Sequence, residues 1–339
     1  MRLAINGYGR IGRCVLRALV EAGLQRQLEV VAINELADCK TIAHLTKYDS
    51  THGRFPGQVA LAEDRLSING QAIRILHCEQ PQELPWAELG IDLVLECSGA
   101  FSDRASAQRH IDRGAARVLF SQPAQADVDA TIVFGVNEAV LSPTHHIVSN
   151  ASCTTNCSVP VIKALHDAFG VASGVITTLH SAMNDQPVID AYHHTDLRKT
   201  RSAINSMIPV DTGLARGIER LLPELSGRLE AQAMRVPIAN VSAIDMSLVV
   251  ERDVTVEQVN AALRRAAETG FRGVLGYTEE LLASCDFNHD GRSGVVDAGQ
   301  TRVAGKRLVK VLTWFDNEWG YANRMLDVTL AWQQAIDPA

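Results

Sequence analysis

Residues 2–12 read RLAINGYGRIG, and this stretch decides the fold of the first half of the chain. The apolar run Arg2–Asn6 predicts a strand, and glycines at 7, 9 and 12 follow in the spacing G-x-G-x-x-G. Apolar residues then recur along one helical face from Ile11 to Ala22, and Gly23 ends the helix. The spacing alone is a weak signal, but a strand leading in and a helix leading out give it meaning.

The glycine stretch is typical of a loop that holds the pyrophosphate of a dinucleotide. Gly7 permits a tight turn, Gly9 lets backbone approach the phosphates, and Gly12 lets helix and strand pack closely. The helix N-terminus adds N–H donors and a positive dipole. Glu35 ends the next strand, where a carboxylate accepts hydrogen bonds from the adenosine ribose and repels a 2′-phosphate. We therefore predict NAD rather than NADP; a solvated strand-end charge is the alternative for Glu35.

Apolar runs elsewhere in the first half predict a parallel sheet covered on both faces by helices. These runs are 28–34, 92–97, 116–121, 131–137 and 146–150. The second half shows helical patterns and longer strands, at 153–169, 175–181, 232–252, 255–270, 307–314 and 317–334. Between them lies a polar segment, 184–211, that is too long for an ordinary connection and is therefore a candidate functional loop. A domain boundary is expected near Ala151.

Composition narrows the class of protein. The chain has 339 residues and a net charge of −7, whereas nucleic-acid binders more often carry a basic surplus. Neither a signal peptide nor a membrane span is recognisable. The seven cysteines are odd in number and scattered, which argues against a disulfide framework. We expect a cytoplasmic protein with a small-molecule substrate, and with neither nucleic acid nor membrane as a partner.

A candidate nucleophile lies in Ser149–Cys157, SNASCTTNC, at a strand-to-helix junction. Ser152 is a plausible N-cap. Cys153 falls in the first helical turn, where the dipole favours the thiolate that attacks an aldehyde carbon. A small core residue is the alternative for a lone cysteine. Cys157, four residues on, adds a weak indication of metal binding or a redox pair.

His180 ends a β-rich run, and from there a histidine can serve a thiol as general base. His145, His146, His193 and His194 compete for this role. The paired histidines are also readable as metal ligands, but they lack a convincing third and fourth ligand, so we predict loop residues. The stretch DFNHDG, 286–291, begins like a calcium loop, yet position 12 is Asp297 instead of glutamate. No metal is predicted.

The segments ASCTTNC and INGYGRIGR, with VAINEL, ECSG, MRVPIANVS and WFDNEWGYANRM, resemble the glyceraldehyde-3-phosphate dehydrogenase superfamily from end to end. The resemblance implies an α/β fold, with an N-terminal Rossmann-type doubly wound parallel sheet and a C-terminal α+β catalytic domain. The implied bounds are 1–151 for the NAD-binding domain, 152–316 for the catalytic domain and 317–339 for a last helix packed back on the first. It also implies a homotetramer.

The resemblance assigns roles residue by residue. Cys153 falls on the nucleophile and His180 on the activating histidine. Cofactor contacts fall on Gly7, Gly9, Arg10, Ile11, Gly12, Ser121, Asn317 and Glu35, the last where the family usually has aspartate. Substrate contacts fall on Ser152, Thr154, Thr212, Gly213, Arg235 and Lys199. Lys199, next to Arg198, stands where the family places an arginine. A lysine ammonium therefore replaces a guanidinium that can donate two parallel hydrogen bonds. Glu79 replaces an arginine that touches the cofactor in many relatives.

The stretch after His180 departs from the glycolytic pattern. Met183 stands where glycolytic members have a threonine that helps hold the substrate phosphate, and methionine cannot supply that hydroxyl. With the loop behind it, this stretch resembles the erythrose-4-phosphate dehydrogenase branch, which feeds pyridoxal phosphate synthesis. The implied activity is NAD-dependent oxidation through a Cys153 thioester, released by water. A phosphorylating glyceraldehyde-3-phosphate dehydrogenase, a non-catalytic dinucleotide-binding protein and an RNA-binding role remain as alternatives.

Overall fold

The computed structural model describes residues 1–193 and 196–337, and the chain divides into two units. The first comprises Met1–Ser152 together with the chain from Ala322 onward, and the second comprises Cys153–Tyr321. No helix in the described ranges is long and apolar enough to cross a membrane.

Strands and helices alternate in the first unit. In chain order its elements are β1 (Arg2–Asn6), α1 (Arg10–Glu21), β2 (Glu29–Asn34), α2 (Cys39–Lys47), β3 (Tyr48–Asp49), β4 (Gly53–Arg54), β5 (Val59–Ala62), β6 (Arg65–Ile68), β7 (Gln71–Leu76), α3 (Trp86–Leu89), β8 (Leu93–Glu96), α4 (Arg104–Asp112), β9 (Arg117–Phe120), β10 (Ala130–Thr131) and β11 (Ile147–Ser149). The strands of apolar Val, Ile and Leu are buried, as expected for a sheet covered on both faces.

The first-unit sheet has the strand order β10-β11-β9-β8-β1-β2-β7-β6-β5. Its strands from β10 to β7 are parallel, so the predicted parallel sheet is confirmed. β1 has β2 on one side and β8 on the other, which makes it the point where the strand order reverses. Ligands of such sheets bind at the carboxyl ends of the strands at this point, and the glycine loop begins there.

One first-unit prediction needs correction, and one feature of this unit was missed. The run 131–137 is a strand only at Ala130–Thr131, because the chain then turns. Gly135 takes a φ of +87°, and the side chain of Asn137 accepts from the N–H of Val133 and donates to the carbonyl of Thr131. The antiparallel meander β5-β6-β7 was not predicted.

The second unit holds a mixed sheet with helices. Its elements are α5 (Cys153–Phe169), β12 (Val171–His180), β13 (Ile208–Val210), α6 (Leu214–Leu221), β14 (Leu229–Arg235), β15 (Ser242–Val250), α7 (Val256–Glu268), β16 (Leu275–Thr278), β17 (Gly294–Ala304), β18 (Leu308–Phe315) and the start of α8 (Trp319–Ile336). The strand order is β13-β14-β12-β15-β18-β17-β16. The predicted strand 232–252 is wrong as one element: it is two strands, since the break holds Pro237 and Val241 with a φ of +66°.

The last helix begins where Asp316 accepts hydrogen bonds from the N–H groups of Glu318 and Trp319. From Ala322 onward it belongs to the first unit. There Trp332 is fully buried, and its indole nitrogen donates to the carbonyl oxygen of Ser142 at 3.3 Å. The first unit thus takes part of its core from the end of the chain.

Candidate active site

The glycine loop joins β1 to α1, and its geometry fits a dinucleotide. A Cβ on Gly7, whose φ is +87°, would lie 2.3 Å from the backbone nitrogen of Ser98. A Cβ on Gly12 would lie 2.3 Å from the carbonyl oxygen of Gly7. A Cβ on Gly9 would meet nothing within 4 Å. Packing therefore requires the first and third glycines, while the second borders open space for phosphate groups.

Glu35 follows β2, and its carboxylate holds the glycine loop. Its Oε2 accepts from the N–H of Tyr8 at 2.9 Å, and its Oε1 accepts from the N–H of Leu36 at 2.8 Å. Oε1 also accepts from the N–H of Ala37 at 3.4 Å, whereas Oε2 has a second lone pair that a ribose hydroxyl can use. Glu35 is half-buried. The same carboxylate that is predicted to bind the cofactor therefore also holds the backbone of the glycine loop in place.

Arg10, the first residue of α1, pairs with a carboxylate that sequence reasoning missed. Its Nη1 lies 2.5 Å and its Nη2 3.2 Å from the two oxygens of Asp49. Burial opposes ionisation of Asp49, but Arg10 and two backbone N–H groups lower its pKa well below the usual range. No spacing rule links the two residues, because they meet only through the fold.

Two further predicted cofactor residues lie close by in the sequence of elements. Ile11 follows Arg10 in the helix, and Ser121 follows β9, with its N–H donating to the carbonyl of Glu96.

Buried hydrogen bonds join the carboxyl ends of β1, β2 and β8. Asn34 donates to Asn6 at 2.7 Å, and Asn6 donates to Oε2 of Glu96 at 2.6 Å. Nε2 of His110 lies 3.0 Å from the same oxygen. The indole of Trp86 donates to Nδ1 of His110 at 3.0 Å, so the neutral ring carries its proton on Nε2 and donates it to Glu96. This network fixes the strand ends from which the glycine loop starts.

In the second unit, Cys153 and His180 come together. Cys153 is the first residue of α5, and His180 is the last residue of β12. The Sγ of Cys153 lies 3.7 Å from Nε2 of His180. Cys153 is half-buried, while His180 is 7% exposed. The predicted nucleophile and its predicted base thus lie side by side in the second unit.

Arg235 lies beside His180 because β12 and β14 run parallel in a register that pairs these two residues. Its Nη1 lies 2.7 Å from Nδ1 of His180. The same Nδ1 lies 2.9 Å from the carbonyl oxygen of Ser181. Phe315 closes the other side of the imidazole, edge to face, with ring centroids 6.3 Å apart. The guanidinium is thus a direct neighbour of the base.

Burial opposes the charged forms of both side chains. Burial raises the pKa of the Cys153 thiol to about 11, although the charge of Arg235 and the N–H of Thr154 lower it. Burial and then the charge of Arg235 lower the pKa of His180 to about 4. The helix N-terminus was expected to favour the thiolate of Cys153, whereas burial raises the pKa of the thiol by more than Arg235 and the N–H of Thr154 lower it. The neutral imidazole is the form that accepts a proton.

The predicted substrate residues lie on or next to several elements of the chain. Lys199 donates to Asp185 at 2.8 Å; burial raises the pKa of Asp185, but Lys199 and Arg235 lower it by more. Thr212 and Gly213 lead from β13, which pairs with β14 at Arg235, into α6. Thr154 follows Cys153 in the first turn of α5. Ser152 directly precedes that helix and ends the first unit.

Asn317 is oriented by two serines that sequence reasoning did not single out. The hydroxyls of Ser181 and Ser242 both donate to its Oδ1, at 3.0 and 2.8 Å. The N–H of Ser181 also donates to the hydroxyl of Ser242 at 3.0 Å, which ties the two serines to each other. The amide Nδ2 of Asn317 therefore faces away from the serines as a donor.

The remaining candidates lie elsewhere. Cys157 is fully buried, and a Cβ on Gly294 would lie 2.7 Å from its sulfur, so it is a core residue. His145 and His146 precede β11 in the first unit, His193 accepts from the N–H of Asp196, and His194 lies outside the described residues. In the calcium-like stretch Asp290 is ion-paired with Arg292, and Asp297 accepts from the indole of Trp314. Glu79 is exposed.

A doubly wound unit with a dinucleotide loop, in one chain with a cysteine–histidine pair, is the arrangement of an NAD-dependent dehydrogenase. Residues 1–104 match the family model described as glyceraldehyde 3-phosphate dehydrogenase, NAD binding domain. Residues 152–317 match the one described as glyceraldehyde 3-phosphate dehydrogenase, C-terminal domain. The chain belongs to the glyceraldehyde-3-phosphate dehydrogenase superfamily. Its cofactor is NAD, its reaction is the oxidation of an aldehyde sugar phosphate, and the expected Rossmann-type domain with a C-terminal catalytic domain is confirmed.

Proposed function

We propose that the chain oxidises D-erythrose 4-phosphate to 4-phospho-D-erythronate, through a thioester on Cys153 that water releases, in pyridoxal 5′-phosphate biosynthesis. The observation that carries the substrate choice is Met183. It stands three residues after His180, 45% exposed, where a threonine hydroxyl would help bind a triose phosphate. An altered phosphate subsite suits a sugar phosphate that is one carbon longer.

Support for the covalent mechanism comes from the second unit. His180 takes the Sγ proton, Cys153 attacks the aldehyde carbon, and His180 returns the proton to the carbonyl oxygen, which gives a thiohemiacetal with a neutral imidazole beside it. Bound NAD supplies the acceptor for the hydride that this carbon loses. His180 holds the proton of the thiohemiacetal hydroxyl as the thioester forms, and then assists attack by water. We assign phosphate and oxyanion contacts to Arg235, Lys199, Thr212, Gly213, Thr154 and Ser152.

We assign NAD to the glycine loop with Arg10, Ile11, Ser121 and Glu35, and the nicotinamide carboxamide to Asn317. The open space at Gly9 and the orientation of Asn317 support this assignment. The carboxylate of Glu35 supports NAD over NADP, since a 2′-phosphate beside it would meet like charge.

We propose a homotetramer in the cytoplasm, with the domain bounds given above. The segment from Met183 to Met207 exposes apolar side chains, at Met183, Val188, Ile189, Tyr192, Leu197, Ile204 and Met207. So many in one segment favour burial against another chain. None of the seven cysteines, all within the described residues, forms a disulfide, which suits a reducing compartment.

A substrate panel read by NADH absorbance tests the function. We expect D-erythrose 4-phosphate to be oxidised without inorganic phosphate, and at higher kcat/KM than glyceraldehyde 3-phosphate. Strict dependence on phosphate with preference for the triose would establish the phosphorylating glycolytic alternative instead. Cys153→Ala should abolish turnover, while Cys285→Ala, which removes an exposed cysteine of the same unit, should not. Turnover by Cys153→Ala would remove the covalent mechanism.

A further inference from the structure

The first unit contains a cysteine–histidine pair of its own, whereas Cys153 and His180 lie in the second unit. The Sγ of Cys39 lies 3.4 Å from Nε2 of His77. Cys39 is the first residue of α2 and is half-buried, and His77 is exposed. The pair is therefore open to small molecules in solution, and no step of the proposed reaction uses it.

Strand register brings His77 to Glu35. β2 and β7 run parallel, with Asn34 beside Leu76. The residues that follow them, Glu35 and His77, meet at the carboxyl edge of the sheet, where Nδ1 of His77 lies 2.8 Å from the carbonyl oxygen of Glu35. That oxygen can only accept, so Nδ1 carries the ring proton, and Nε2 of the neutral ring keeps a lone pair. His77 is therefore placed to accept the proton of the Cys39 thiol.

Glu35 connects this pair to the glycine loop. Its backbone carbonyl accepts from His77, and its carboxylate accepts from the N–H of Tyr8 in the loop. The carboxylate also accepts from the next two N–H groups of the chain, which lead toward α2. A group attached to the sulfur of Cys39 removes the donor to His77 and adds bulk beside the segment that carries Glu35. Chemistry at Cys39 can therefore reach the proposed cofactor contact.

We propose that Cys39 is a modification site that exchanges with small-molecule disulfides, and that the adduct lowers the affinity of the protein for NAD. The thiol proton passes to Nε2 of His77, and the sulfur attacks one sulfur of the disulfide, whose S–S bond breaks as the new one forms. The proton then passes to the leaving thiolate, which departs as a thiol. Cys39 is oxidised and the released sulfur is reduced. The inference rests on the proposed assignment of Glu35 to the cofactor.

The three other cysteines of the first unit are placed less well for this reaction. Cys14 is buried. Burial raises the pKa of Cys97 to about 12, and burial also raises the pKa of Cys78. Because the thiolate is the reacting species, we expect disulfide exchange in this unit to fall on Cys39.

Treatment with glutathione disulfide at pH 7, without NAD or aldehyde, tests the reactivity of Cys39. Mass spectrometry follows the Cys39 peptide, and the exposed Cys285 is the reference in the same digest. A free cysteine is only a few per cent thiolate at this pH, so help from His77 should make Cys39 react roughly 10- to 30-fold faster than Cys285. Equal rates overturn the proposal.

His77→Asn separates the base from the structural contact. Its amide nitrogen can still donate to the carbonyl of Glu35, but Nε2 is lost, so Cys39 should react as slowly as Cys285. His44→Asn, which changes an exposed histidine of α2, is the matched control and should leave the rate unchanged. An unaltered rate in His77→Asn overturns the proposal.

Calorimetric titration with NAD tests the effect of the adduct. It uses Cys153→Ala before and after treatment, so that modification of the second-unit cysteine does not contribute. We expect NAD to bind roughly tenfold more weakly or worse after treatment, the loss of one hydrogen bond to a charged group. Adding Cys39→Ser should abolish the change, and saturating NAD should oppose adduct formation by the same factor.

Equal affinities for NAD with and without the adduct on Cys39 overturn the proposal, and so does the same loss of affinity in the variant that carries Cys39→Ser. Neither the mass spectra nor the titration involves turnover. Failure here is therefore distinct from failure of the proposed function, which NADH formation reports.

Discussion

The hydroxyl of Ser181 donates a hydrogen bond to Oδ1 of Asn317 at 3.0 Å, across a sequence separation of 136 residues. Ser242 donates to the same oxygen at 2.8 Å. Two donors on one oxygen leave the amide nitrogen on the side away from the serines, which suits the contact with a carboxamide carbonyl proposed above. The sequence pattern does not reveal the two serines that orient Asn317.

Replacing Ser242 by alanine should weaken NAD binding. The change removes one buried hydrogen bond, worth about 0.5–1.5 kcal/mol, and lets the amide of Asn317 rotate. We expect the KM for NAD to rise by roughly 2- to 10-fold, as measured by steady-state kinetics. Ser247→Ala, in the same strand, is the control. An unchanged KM would mean that Asn317 does not contact the cofactor.

Replacing Glu35 by glutamine should reduce the preference for NAD over NADP. The amide oxygen still accepts from the N–H of Tyr8, while the charge that repels a 2′-phosphate is lost. We expect the ratio of kcat/KM for NAD over NADP to fall by about tenfold, equivalent to 1.4 kcal/mol. Asp64→Asn, at an exposed carboxylate of the same unit, should leave the ratio unchanged. If the ratio is also unchanged in Glu35→Gln, then Glu35 only holds the glycine loop and does not select the cofactor.

Replacing Glu96 by glutamine should destabilise the first unit. The two carboxylate oxygens accept from Asn6, His110 and Ser98, and the new NH₂ group would face a donor. A buried unsatisfied group costs about 1–3 kcal/mol, measurable by urea unfolding. The exposed Glu88→Gln controls for loss of charge. Equal stability of the two variants would show that the network contributes nothing.

The pKa of His180, lowered to about 4 from an ordinary 6.5, makes stability depend on pH. Between these values the unfolded chain binds a proton that the folded chain does not, so stability rises with pH. The difference corresponds to ~3 kcal/mol, lost as pH falls from 6.5 to 4. Unfolding free energies across this window should be flatter for His180→Gln than for the exposed His44→Gln. Parallel curves would contradict the buried neutral imidazole.

The spacing of residues along the chain predicted many of the strands and helices and singled out Cys153 and His180. It did not predict which side chains from distant parts of the chain contact them. The strand, the glycine loop and the helix follow one another in the sequence, so their residues could be recognised from the sequence alone. Cys153 and His180 could be recognised because each stands at the end of a predicted helix or strand. The pairing of His180 with Arg235 depends on strand register between residues 55 apart. Asp49 reaches Arg10 through a turn with no sequence signal. The strand predicted at 131–137 was wrong because apolar residues there fold into a turn instead of pairing.

Met183→Thr tests the substrate assignment most directly. The backbone of Met183 is held by reciprocal bonds with Gln186, whose N–H donates to its carbonyl at 3.0 Å and whose Oε1 accepts from its N–H at 3.2 Å. Threonine adds a hydroxyl at a fixed place, so phosphate of the shorter sugar gains a donor. The kcat/KM for glyceraldehyde 3-phosphate should rise relative to that for erythrose 4-phosphate, by roughly 10- to 150-fold for one hydrogen bond to a charged group. Met207→Thr, in the same exposed segment, should not change the ratio. An unchanged ratio in Met183→Thr would place substrate choice elsewhere in the loop, because the added hydroxyl would then lie outside the phosphate subsite.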